Sequence, residues 1–77
     1  MKSDLSNLRN ILIEVFNEAN VPIDIMDLKI DSLSQWDSMG NFSLLLAVEE
    51  HFKIKFSFDE IQSLKSVKSI YKVINDR

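Results

Sequence analysis

Apolar positions recur along this chain at two different rhythms, and the rhythms divide it into elements. Leu5, Leu8, Ile11, Leu12, Val15, Phe16 and Ala19 fall three and four residues apart, the stripe of an amphipathic helix. The spacing predicts a helix over 4–19, with Ser3 or Asp4 to cap its start and Asn20 and Pro22 to end it. Residues 20–36 lose the helical period but keep Ile23, Ile25, Met26, Leu28, Ile30 and Leu33. A loop this long in so short a chain is functional or packed down by its own apolar residues. Its Asp27–Leu28 region is a place for a short helical turn.

The helical period returns over 37–52. Asp37 stands at the N-cap, and Met39, Phe42, Leu45, Leu46, Glu49 and Phe52 alternate between core and surface. Leu44 and Val48 widen the apolar face. Lys53-Ile54-Lys55-Phe56 has period two without a partner strand, so it is expected as an extended connection that turns Ile54 and Phe56 inward. Ser57-Phe58-Asp59-Glu60 spells a capping box and opens a short helix over 59–64. Ser66 caps a last helix over 66–75 that buries Val67, Ile70, Tyr71 and Ile74. The expected fold is all-α, a bundle of three main helices and one short third helix in a single domain over 1–77. The apolar stripes are expected to be consumed by one core.

Composition narrows the function. One glycine and one proline among 77 residues argue against an all-β chain. The absence of cysteine excludes disulfides, thiolate metal sites and cysteine nucleophiles, and a single histidine, His51, disfavours a histidine metal site. His51 is expected as a solvated residue at a helix end. The longest apolar run, Leu44 to Val48, is far too short to span a membrane, and the polar first ten residues carry no signal-peptide core. These features point to a cytoplasmic monomer. A chain of this size can hardly wall an enzyme's cleft, so a binding or carrier module is expected, with no catalytic residues and no metal.

Charge is unevenly spread. Residues 1–52 have a net charge of −6 and residues 53–77 a net of +3. The acidic part suits basic partners and repels nucleic acid. The basic residues Lys53, Lys55, Lys65, Lys68, Lys72 and Arg77 are scattered along helices without a nucleic-acid motif.

Candidate chemistry concentrates at Trp36-Asp37-Ser38-Met39-Gly40. A serine in the first turn of a helix lies near open backbone N–H groups and the positive end of the dipole, where a phosphate is well placed. Taken alone, Asp-Ser before an apolar run is only a helix start. Trp36 is expected to pack the long loop onto the bundle, and Phe42 either to fill core or to crowd the interior. The adjacent Glu49 and Glu50 do not face one another on a helix and cannot flank one bond.

The order of features resembles the acyl carrier protein family over essentially the whole chain. In that family an Asp-Ser-Leu motif opens the second helix. An apolar helix with a Glu-Glu pair and a phenylalanine follows, then a short third helix and a Ser/Thr-Val start to the fourth. Asp37, Ser38, Met39, Glu49, Glu50, Phe52, Ser66 and Val67 take those places without insertion. Asp31-Ser32-Leu33 spells the tripeptide literally, but spacing favours Ser38. Ser38 to Phe52 is fourteen residues, close to four helical turns, whereas a helix from Ser32 would have to contain Asp37, Gly40 and Asn41.

The resemblance implies a covalent 4′-phosphopantetheine on Ser38, delivered from coenzyme A by a phosphopantetheinyl transferase. The arm's thiol would carry acyl groups as thioesters for ligase, synthase or transferase partners in lipid metabolism. Asp37 and Met39 would meet the transferase, with Glu49 and Glu50 as secondary partner residues. Fatty-acid carriers stud the second helix with acids, whereas Gly40, Asn41 and Ser43 follow the serine here, which implies a specialised pathway rather than housekeeping fatty-acid biosynthesis. Asp-Ser-Met-Gly before a Leu-Leu-Leu run also resembles D-alanyl carrier proteins of teichoic acid metabolism. Peptidyl carriers place Gly-Gly where Gln35-Trp36 stands. The alternative from another class is an unmodified helical module that binds a protein through an exposed apolar face.

Overall fold

A computed structural model describes residues 2–17 and 19–76, except for the side chains of residues 2–4. Four helices follow in order: α1 Lys2–Val15, α2 Ser38–Phe52, α3 Phe58–Ser63 and α4 Val67–Asp76. No strand joins them among the described residues, so the architecture is a small all-α bundle. None of these helices is long and apolar enough to cross a membrane.

α1 packs against both α2 and α4 and buries Leu8, Ile11 and Leu12. The side chains of Ser3 and Asp4, the expected caps, lie outside the described residues. The helix ends four residues earlier than its apolar stripe suggests. Phe16 still donates to the Leu12 carbonyl at 2.8 Å, but Ala19 then donates to Phe16 at 3.0 Å, a tighter three-residue closure that turns the chain out of the helix. Asn17 and Asn20, weak helix formers, flank that turn.

The long loop is ordered by polar ties as much as by burial. Arg9 on α1 donates from Nε to the Pro22 carbonyl at 2.8 Å and from Nη2 to that of Val21 at 3.0 Å. Asp24 Oδ1 accepts from the Met26 N–H, an Asx turn, and Leu28 donates to the Ile25 carbonyl. Ile25, Leu33 and Trp36 are buried, while Ile23 is exposed. Lys29 forms an antiparallel bridge with Ser66, flanked by Ile30 N–H to the Lys65 carbonyl and Val67 N–H to that of Leu28. The loop thus pairs with the α3–α4 connection, an extended contact far from the period-two segment 53–56.

That segment begins at Lys53, which ends α2 in the left-handed conformation with φ 57°. Phe56 beyond it is buried, and Ile54 is half-buried. Ser57 and Glu60 form the reciprocal capping box at the start of α3. Ser66 Oγ accepts from the Ser69 N–H at 3.2 Å at the start of α4.

Gly40 sits where α2 passes close to the end of the loop and to the Phe16 ring. A Cβ there would stand 2.1 Å from the Gln35 carbonyl oxygen and 3.0 Å from a Phe16 ring carbon. Alanine would gain about 1 kcal/mol of helix propensity, yet overpacking costs roughly 1–3 kcal/mol and the clash is with backbone. A 2.1 Å approach to backbone puts the cost at the upper end, so Gly40→Ala is expected to lower stability by about 2 kcal/mol net in urea unfolding. A variant as stable as the parent would contradict this packing.

Candidate functional site

The first turn of α2 is built from the Asp37 cap. Asp37 is extended, with φ −107° and ψ −164°, and its carboxylate accepts the Gly40 N–H at 2.8 Å. Its carbonyl accepts the Asn41 N–H at 2.7 Å. Ser38 and Met39, the first two helical residues, therefore present backbone N–H groups that have no carbonyl within the helix to reach. Ser38 is exposed, and Met39 is 82% exposed.

Ser38 stands on the rim of a groove of about 510 Å³ between α2, α3 and the long loop. Ile30, Phe42 and Ile61 supply apolar walls, Asn41 lies at the floor, and Gln62 and Lys65 complete the lining. Phe42 is half exposed, so it belongs to the groove rather than to the interior.

Beneath the groove the fold is sewn by one polar side chain. Asn41 is only 4% exposed, the one buried polar residue among those described, in a core of apolar ones. Its Oδ1 accepts the Trp36 indole N–H at 2.9 Å, and its Nδ2 donates to the Leu64 carbonyl at 3.0 Å. Trp36 is fully buried and stacks on Phe16, ring centroids 5.7 Å apart. Trp36 thus packs the loop end into the bundle. The Asn41 ties were missed in the sequence, where a lone asparagine in an apolar helix was the available signal.

The other candidate residues are dispersed. Ser32 lies in a turn: its Oγ accepts the Lys29 N–H at 3.0 Å, its N–H donates to the Lys29 carbonyl, and Asp31 before it has φ 75°. Glu49 is half-buried, and its carboxylate accepts the Phe56 N–H at 2.6 Å, pinning the connection after α2. Glu50 and His51 are exposed, and the His51 ring meets Phe52 edge-on at 5.0 Å. Glu49 is thus engaged inside the fold, and of the pair only Glu50 is presented outward. Among the described residues no cluster of acids and histidine forms a metal site.

One expectation is corrected. The apolar stripes are not all consumed by the core: Met39, Phe42 and Leu46, three and four residues apart, remain exposed on α2. Leu44, Leu45 and Val48 already fill the inward face, so a helix this apolar has residues left over.

No family model, curated protein or solved structure matches the chain.

The two glutamates give a direct check on these assignments. Glu49→Ala is expected to cost about 1–3 kcal/mol by leaving the Phe56 N–H without its acceptor, and Glu50→Ala to change stability by less than about 0.5 kcal/mol. Asp37→Ala is expected to cost about 1 kcal/mol through loss of the cap. Chemical denaturation of the three variants measures all of these, and equal losses for Glu49 and Glu50 would contradict the arrangement.

Proposed function

We propose that the chain is a carrier domain of the acyl-carrier type, over residues 1–77, modified on Ser38 by 4′-phosphopantetheine. The observation that carries the reading is the position of Ser38. Its side chain is exposed in the first turn of α2, on the rim of a groove, with the helix anchored directly beneath it through Asn41. The helix order and the long loop before α2 accord with an acyl-carrier-like bundle.

The residues present fit such a group. A phosphodiester on the Ser38 oxygen would lie at the positive end of α2, near the Ser38 and Met39 N–H groups. The Asp37 carboxylate is turned to the Gly40 N–H and so fixes the helix start. Attachment forms the Ser38 O–P bond as the pyrophosphate bond of coenzyme A breaks, releasing the adenosine bisphosphate half and the serine proton, with Mg²⁺ held by the transferase. The bound arm supplies a thiol, which this cysteine-free chain lacks, for holding acyl groups as thioesters. The chain itself catalyses nothing. Its residues position the serine and display a face to partner enzymes in the cytoplasm, the chain acting as a monomer.

The partner face follows from what α2 leaves outside. Met39, Phe42 and Leu46 make an apolar stripe, with Asp37 at one end and Glu50 toward the other. Few acids lie along it, which favours a specialised client over the charge-guided enzymes of bulk fatty-acid synthesis. The same stripe is the observation that favours a second reading. That reading is a D-alanyl carrier, for which this face would be where its ligase docks, and loading of the modified chain by a D-alanine ligase would select it. An unmodified interaction module would use the stripe without any change at Ser38.

Incubation with coenzyme A, Mg²⁺ and a promiscuous phosphopantetheinyl transferase tests the proposal by intact mass. The expected result is one added phosphopantetheine, lost in Ser38→Ala and retained in Ser32→Ala. Modification that survives Ser38→Ala would overturn the assignment, as would an unmodified product from the folded parent chain.

A further inference from the structure

The floor of the groove beside Ser38 decides which cargo this carrier can hold, an inference that rests on the carrier reading. Ile30, Phe42 and Ile61 give the groove an apolar lining, and of the residues that line it only Asn41 is buried. The groove ends on Asn41, whose carboxamide is engaged on both sides, by the Trp36 indole at 2.9 Å and the Leu64 carbonyl at 3.0 Å. Behind it, Trp36 is fully buried and stacked on Phe16, and Leu44, Val67 and Ile70 are fully buried as well.

An alkyl chain entering from the groove would have to part Asn41 from one partner or both. That would leave an indole N–H, a backbone carbonyl or the carboxamide itself unpaired in a dry core, the costly case for a buried polar group. Among the described residues no buried side-chain polar atom lacks a partner, so any opening at Asn41 would create the first one. The rim is polar as well: Gln62 and Lys65, both exposed, line the groove together with Ser38.

We propose that the Trp36–Asn41–Leu64 tie closes the bundle to its cargo, so that this carrier presents a short acyl group at the surface and does not shelter a long chain inside. A short acyl group needs little protection from water, because its exposed apolar area is small. A long chain would gain most from shelter and finds a polar floor.

The sequence provides a built-in reporter, since Trp36 is the only tryptophan. Its indole N–H is the donor of the tie, so its proton resonance, its exchange with solvent and its fluorescence all report on whether the tie is closed. The experiment loads the full chain with acetyl- and with octanoyl-phosphopantetheine, from the corresponding coenzyme A thioesters, and checks each product by intact mass and by Ser38→Ala. Indole-proton exchange and melting temperature are then compared. The expected result is exchange equal within about twofold in the two forms, with no gain in melting temperature from the longer chain. Faster exchange in the octanoyl form by about tenfold, or melting raised by several degrees, would overturn the inference while leaving the carrier reading intact. Absence of any mass gain on Ser38 would overturn the carrier reading and this inference with it.

Discussion

The Asn41 carboxamide is the interaction on which the rest of the structure depends. Its oxygen holds the end of the long loop through Trp36, and its nitrogen holds the end of α3 through Leu64. The end of the loop, the first turns of α2 and, 23 residues further on, the end of α3 therefore meet on one side chain. In a chain this short the apolar core alone is small. A satisfied buried polar group fixes a single arrangement of the elements around it. Because Asn41 lies one turn after Ser38, the same contact fixes the helix start on which the serine is displayed.

The loop shows how polar ties substitute for regular structure. Arg9 binds its first part to α1, the Asp24 and Ser32 side chains close turns within it, and the Lys29–Ser66 bridge joins it to the start of α4. Ile25, Leu33 and Trp36 then fill the core from the loop. Ser32 is committed to this scaffold, whereas Ser38, six residues later, is left outward. Two Asp-Ser pairs so close together thus have different physical roles: one builds a turn, the other opens a helix.

What was legible in the sequence was local. The Asp37 cap, the Ser57–Glu60 capping box and the Ser66 cap are each set by residues within three positions of one another, and each stands in the structure. The inward residues of α1 and α4 followed largely from helical spacing. The Arg9 ties, the Lys29–Ser66 bridge and the Asn41 contacts join residues from 12 to 37 positions apart, apart from the short Trp36 link. No spacing rule encodes such pairs. The exposed Met39–Phe42–Leu46 stripe escaped for a related reason. An apolar residue in a helix with apolar residues on nearly every side carries no mark of which face the bundle leaves open. Glu49 likewise resembles its surface neighbour Glu50 until the chain folds back and places the Phe56 N–H against it.

The central claim concerns one oxygen atom, the Ser38 Oγ. The most direct measurement is peptide mass spectrometry of the chain purified, at its natural level, from the cells that make it. The account predicts a phosphopantetheine phosphodiester on the peptide that contains Ser38, placed by fragmentation on that residue and absent from Ser32. A natural pool in which Ser38 is uniformly unmodified would contradict it.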